Sequence, residues 1–222
     1  VVSCIVEDNK HNLWIGTSDG GLNYYDNASQ LYKNYLFNSG NLDVPFKDIK
    51  TVYVDEVQDR IYVGAHAGGM MVLHRKSGYI EYYNRHNSNL PSNNIYSIIS
   101  DGYGGLWVAS LEYLLHFDID KRNFTIVDVD EDGHKLQQYN RLLFCDSKKR
   151  IWAGGEMGIS VFNQVGTSLL PNTDFQIASV LKQAFVNCFY ETSSGYLWIG
   201  TRNGLFALKE SDKQFLQYTT EN

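Results

Sequence analysis

The sequence predicts an all-β chain folded as a β-propeller of five four-stranded antiparallel blades, and three observations point there. First, an aromatic anchor recurs behind a branched apolar residue and ahead of a short turn. The segments are Leu13-Trp14-Ile15-Gly16-Thr17, Ile61-Tyr62-Val63-Gly64-Ala65, Leu106-Trp107-Val108-Ala109-Ser110, Ile151-Trp152-Ala153-Gly154-Gly155 and Leu197-Trp198-Ile199-Gly200-Thr201. Second, these anchors stand 48, 45, 45 and 46 residues apart. A fixed period of this size marks a repeat architecture in which no unit buries its apolar face alone. Third, the chain is 14% aromatic, with 16 Tyr and 11 Phe, residues that suit pleated, half-buried surfaces.

Four strands can be read in each repeat. The first runs from Val2 to Glu7, its Val2 and Ile5 matched by Ile95 and Ile98 and by Val186 and Phe189. A polar turn follows, Asp8 to Asn12, and then the Trp-centred second strand. The turn Ser18-Asp19-Gly20-Gly21 leads into a third strand at Leu22-Asn23-Tyr24-Tyr25, and the fourth is Leu31 to Tyr35, echoed by Tyr79–Tyr83 and Gln214–Tyr218. Short strands punctuated by Gly, Asn and Asp, with no 3.6-residue period, indicate successive hairpins. Four strands per ~45 residues is the propeller blade. The predicted blades are 1–44, 45–90, 91–136, 137–182 and 183–222, a single array. Gly20, Gly68, Gly158 and Gly204 align at one turn, where a positive φ is expected. Tyr113 takes that place in the third repeat and predicts a differently shaped hairpin.

The 222 residues carry a net charge of −6 without blocks of like sign, which argues against a nucleic-acid surface. No apolar run approaches the roughly 18–20 residues that cross a bilayer, and no signal peptide is visible. Because the chain opens directly on a repeat, it reads as part of something longer. If five blades do not close on themselves, the first and last expose apolar faces, which favours self-association or further blades. Cys4, Cys145 and Cys188 have no metal-ligand spacing and are expected to be buried free thiols.

The combined pattern resembles the two-component regulator propeller repeat. The first repeat carries it almost throughout, in Asp8, Leu13-Trp14-Ile15-Gly16-Thr17, Gly20-Gly21-Leu22 and Tyr25-Asp26, and Asn89-Leu90-Pro91-Ser92-Asn93-Asn94-Ile95 is similar to the family's inter-blade segment. The resemblance implies a segment of a larger, seven-bladed type of propeller in the periplasmic, extracytoplasmic part of an inner-membrane sensor histidine kinase. It implies an oligosaccharide signal read through a conformational or association change, with kinase activity only in downstream domains. Tyr62, Ser110 to Tyr113 and Ala153 to Glu156 depart from the consensus.

Loops on a rigid scaffold are the default place for recognition. The turns between second and third strands present unlike side chains, and Asp19, His66, Glu112, Glu156 and Arg202 are the candidate ligand-binding residues. Inter-blade segments 38–45, 86–93 and 131–139 add Asn, His, Tyr and Arg. The tryptophans, set inside apolar strands, are expected to pack blades rather than stack on sugars. Asp128 to Gly133 fits the first half of an EF-hand loop but has Tyr139 where the bidentate glutamate belongs, so an acidic connection is expected. No nucleophile elbow, H-E-x-x-H helix or P-loop is present, and no catalytic residue, metal or cofactor is assigned. Two other readings stand beside the sensor. One is a structural or partner-binding propeller without a small ligand. The other is a glycan hydrolase or lyase, which needs acids such as Asp19, Glu112 and Glu156 about 5–10 Å apart.

Overall fold

A computed structural model describes residues 1–35, 46–110, 112–127, 140–172, 181, 183–209 and 214–219. Twenty strands among these residues form five four-stranded sheets, each an antiparallel meander in chain order. Blade one holds β1 (Val2–Glu7), β2 (Leu13–Thr17), β3 (Leu22–Asp26) and β4 (Leu31–Tyr35). Blade two holds β5 (Ile49–Asp55), β6 (Arg60–Ala65), β7 (Gly69–His74) and β8 (Ile80–Tyr83). Blade three holds β9 (Ile95–Ser100), β10 (Leu106–Ser110), β11 (Leu114–Asp118) and β12 (Asn123–Ile126). Blade four holds β13 (Asn140–Cys145), β14 (Arg150–Gly155), β15 (Gly158–Val165) and β16 (Ser168–Pro171). Blade five holds β17 (Val186–Glu191), β18 (Tyr196–Thr201), β19 (Gly204–Lys209) and β20 (Gln214–Tyr218).

The first strands of successive blades lie against one another along the inside of the array. Each pairs with its second strand through a register shift near its start, as between Val2 and Cys4 or between Val186 and Cys188. Such a bulge raises local twist and re-aims the residues beside it.

An aspartate closes the turn between first and second strands. In blade one Asp8 Oδ1 accepts the Lys10 and Asn12 amides, while the Trp14 indole points at its Oδ2 from 3.4 Å. In blade four Asp146 Oδ1 accepts the Lys148 and Arg150 amides, and its Oδ2 takes Arg150 Nε at 2.6 Å and Trp152 Nε1 at 2.8 Å. One carboxylate thus satisfies both the turn and a buried indole, which would otherwise be costly to hide.

The core is a series of inter-blade seams. Trp14 and Leu22 of blade one pack with Ile49, Val52 and Met71 of blade two. Tyr62, Met70 and Val72 of blade two meet Ile95, Ile98 and Phe117 of blade three. Trp107 and Leu114 of blade three meet Leu143, Ile151 and Phe162 of blade four. Trp152, Ile159 and Val161 of blade four meet Val186, Ile199 and Phe206 of blade five. Close approach needs small residues behind the anchors. A Cβ on Gly16 would lie 2.6 Å from Ile49 Cγ2, and one on Gly64 would lie 2.5 Å from Ile95 Cγ2.

Five blades joined by four apolar clusters make an open arc among the described residues. Ile5 of β1 is 58% exposed, whereas Val52 and Ile98 at the same repeat position are 6% and 3% exposed. Leu205, Leu216 and Tyr218 lie exposed on the outward face of blade five, on the same side as Trp198. Trp198 is half-buried where the other four anchors are buried.

Two expectations need correction. The positive φ belongs to the residue that opens the third strand, Gly21, Gly69, Gly158 and Gly204. The alignment was therefore one residue early at Gly20 and Gly68, because each of those turns ends in two adjacent glycines. A Cβ on Gly69 would sit 2.2 Å from the Tyr83 carbonyl oxygen, so the requirement is steric as well as conformational. The third repeat differs in that Tyr113 has no positive φ, although the Ser110 amide closes the turn on the Tyr113 carbonyl as Thr17 does on Gly21. The cysteines are free but not buried throughout: Cys4 and Cys145 are half-buried and Cys188 is exposed. Cys188 occupies the place of Cys4 in the repeat. Blade two packs over Cys4, and Cys188 has no sixth blade to cover it.

The same substitution at one repeat position should therefore have unequal costs. Ile98→Ala is expected to destabilise by about 2–5 kcal/mol, as buried truncations do, and Ile5→Ala by less than about 1 kcal/mol. Urea unfolding followed by circular dichroism reads both, and equal losses would mean that the face of blade one is covered.

Candidate functional site

All five turns between second and third strands lie on the face that carries the blade-to-blade connections, and in blades one, two and five backbone bonds fix them there. The Ser18 amide donates to the Val1 carbonyl at 2.9 Å and Gly21 to Lys47 at 3.1 Å. His66 donates to Asp48 at 2.9 Å, Gly69 to Asn93 at 2.8 Å and Arg202 to Phe185 at 3.0 Å. A turn is thereby tied to the lead-in of its own blade, and Gly21 and Gly69 also reach the lead-in of the next. This is a rigid frame for whatever the turns present.

Asp19, His66, Glu112, Glu156 and Arg202 are all exposed. His66 Nδ1 lies 3.8 Å from Asp48 Oδ2, too far for a hydrogen bond. Glu156 accepts Arg141 Nη2 at 2.7 Å, and the Arg141 guanidinium lies over the Tyr96 ring at 5.0 Å. Arg202 lies 3.7 Å over the Phe185 ring, a cation–π geometry. Among the described residues, none of the five forms a hydrogen bond or ion pair with another of the five. The structure sets them on one face and leaves them one to a blade. Of the inter-blade segments, 86–93 is described and is held internally, with the His86 and Asn87 amides donating to Asn84 Oδ1. Segments 38–45 and 131–139, and the calcium-like stretch Asp128 to Gly133, lie outside the described residues.

The opposite face holds a feature that the candidate residues do not touch. Between blades two and three, near the β5–β6 and β11–β12 turns, a cleft of about 180 Å³ is lined by Arg60, Tyr62, Glu81, Tyr83, Phe117 and Arg122 among others. Glu81 Oε1 bonds His74 Nε2 at 2.7 Å, and its Oε2 accepts the Tyr83 hydroxyl at 2.8 Å and faces Arg122 Nη1 at 3.4 Å. Burial works to raise the Glu81 pKa, but the bonds from Tyr83 and His74 outweigh it and hold the carboxyl below its ordinary value. Burial and the same carboxylate push the Tyr83 phenol well up. The signal for this cleft was present in the sequence as the one anchor that is Tyr rather than Trp.

A carboxyl with a depressed folded pKa stabilises the fold above its unfolded pKa of about 4.3 and loses that contribution as pH falls below it. Glu81→Gln is accordingly expected to lose less stability than the parent between pH 6 and pH 3. Parallel urea melts at both pH values check this, and identical losses would show that Glu81 carries no such linkage.

Residues 1–19, 89–112 and 181–203 match the family model for the two component regulator propeller. A histidine kinase of Formosa agariphila is 29% identical over 137 residues, and the match spans 60% of this chain and 10% of that protein. Among solved structures, the extracellular domain assigned to a hybrid two-component system of B. thetaiotaomicron superposes with a TM-score of 0.78 at 19% identity, covering 98% of this chain and 28% of that one. The extracellular domain assigned to a one-component system of the same organism gives 0.77 at 22% identity, covering 99% and 30%. PorZ, a surface component of the type-IX secretion system of Porphyromonas gingivalis, gives 0.71 at 16% identity, covering 100% and 34%. The solved structures share the fold, and this chain spans under a third of the first two. The matched segments run from the lead-in of a first strand into the turn after the second in blades one, three and five, where the chain is similar to the two component regulator propeller repeat.

Proposed function

We propose that this chain is an extracytoplasmic, periplasmic ligand-sensing segment of a two-component sensor histidine kinase, responding to an oligosaccharide. The observation that carries the reading is a repeated frame bearing five unlike exposed side chains, Asp19, His66, Glu112, Glu156 and Arg202, on one face. Carboxylates, a guanidinium and an imidazole offer both donors and acceptors to sugar hydroxyls, and the frame beneath them is pinned by backbone bonds. The repeat match and the kinase relative support the signalling context. Binding is passed on as a change in conformation or association, to a kinase that this segment does not contain.

The two uncovered end faces fit the same context. Further blades of a seven-bladed type of propeller, contributed by the parent chain, would cover Ile5 on one side and Trp198 on the other, and self-association is the alternative cover. A second reading, a structural or partner-binding propeller, draws support from the local engagement of Glu156 by Arg141 and of Arg202 by Phe185. Among the described residues no observation favours glycan cleavage, since Asp19, Glu112 and Glu156 stand on separate blades.

A thermal-shift screen against oligosaccharides separates the readings, since a ligand that binds only the native state raises stability by mass action. An active glycan is expected to raise Tm by ~2 °C or more at saturation. Alanine at Asp19 or Glu112 should remove the shift while leaving the unliganded Tm within about 1 °C. If every glycan leaves Tm unmoved, the structural reading prevails.

A further inference from the structure

The cleft between blades two and three is walled by the one anchor that is Tyr rather than Trp. Trp152, at the matching position of blade four, fills the seam and donates its indole N–H to Asp146. Arg150 beside it donates to the same carboxylate at 2.6 Å. In blade two the corresponding residues are Tyr62, Asp55 and Arg60, by the same strand register. Asp55 still closes its turn through the Val57 and Gln58 amides, but neither Tyr62 nor Arg60 is bonded to it. A cleft of about 280 Å³ lies beside Asp146 and Arg150 as well, so what sets blade two apart is the chemistry of the wall and not the opening.

Tyr62 is 0% exposed, and among the described residues its hydroxyl has no hydrogen-bond partner within ordinary geometry. Burial pushes the Tyr62 phenol up, and the neighbouring Arg60 guanidinium opposes that rise. A buried hydroxyl left unpaired is disfavoured, so the geometry is one that a bound group would relieve. The acceptors nearby are already engaged: both Glu81 oxygens are taken by His74, Tyr83 and Arg122. The unused capacity is that of donors, the Arg60 fork and the Tyr62 hydroxyl. Asp120 is an exposed member of the lining and can accept from a ligand hydroxyl. The volume far exceeds the ~10–15 Å³ that one water needs.

We infer that this cleft is a binding site for a small hydroxylated carboxylic acid. Its carboxylate is held by Arg60 and the Tyr62 hydroxyl, and its hydroxyls lie toward the polar wall. Guanidinium forks match carboxylates geometrically, and charge-assisted bonds of this kind are the strong ones. The site lies on the face opposite the five turns, so it stands whether or not those turns bind an oligosaccharide.

Glucuronate is a suitable probe, with glucose as its uncharged match at equal ionic strength. Glucuronate is expected to raise Tm by a saturable ~2 °C or more and glucose to leave it unchanged. Tyr62→Trp restores the repeat and replaces the hydroxyl with an indole N–H that Asp55 can accept, as Asp146 does from Trp152, so it should fold and lose the glucuronate shift. Tyr62→Phe, which removes only the hydroxyl, should weaken glucuronate several-fold by calorimetry, and Arg60→Gln at least tenfold. A glucuronate shift that survives in Tyr62→Trp, an equal response to glucose, or no response to glucuronate in the parent chain would each overturn the proposal.

Discussion

Every blade of this propeller depends on the contact between an aromatic anchor of one blade and the first strand of the next. A four-stranded sheet of this length has two faces and covers neither by itself. Stacking lets the anchor side of one blade bury the branched residues of its successor, as Tyr62 does with Ile95 and Ile98. The glycine two residues beyond the anchor sets how closely the strands approach, since a Cβ on Gly16 or Gly64 would overlap the neighbouring isoleucine. The aspartate of the first turn completes the unit by taking the indole N–H where the anchor is Trp14 or Trp152. In blades one and four, packing, backbone approach and polar satisfaction therefore meet at the anchor.

The same constraint accounts for the ends. Each interior face is buried because a neighbour supplies the other half of a seam, and the terminal faces have no such neighbour. Exposure of Ile5, Leu205 and Cys188 is thus one fact about stacking seen at three positions.

The blade fold was legible in the sequence because its signal is local. Anchor, flanking branched residues, turn aspartate and closing glycine all lie within one repeat, and strands β1, β2, β4 and β20 fall where the pattern put them. What failed depended on context outside the repeat or on a choice of conformation. Two adjacent glycines in Asp19-Gly20-Gly21 and Ala67-Gly68-Gly69 look alike until φ is known. The exposure of Cys188 follows from an absent neighbour, which no property of its own strand reveals. The five turn residues fall in the turns between second and third strands, but whether their side chains meet depends on curvature across blades, and among the described residues none bonds another. The cleft at Tyr62 was visible only as a deviation from the period; its orphaned hydroxyl emerges from three-dimensional packing against blade three.

The account stands on the arc being open, with four seams among five blades. Acrylamide quenching of tryptophan fluorescence at low protein concentration tests this directly, because the chain has four tryptophans and Trp198 alone faces an uncovered end. The open arc predicts that Trp198→Phe removes most of the quenchable emission, whereas Trp107→Phe and Trp152→Phe leave it. A quenchable fraction unchanged by Trp198→Phe would contradict it.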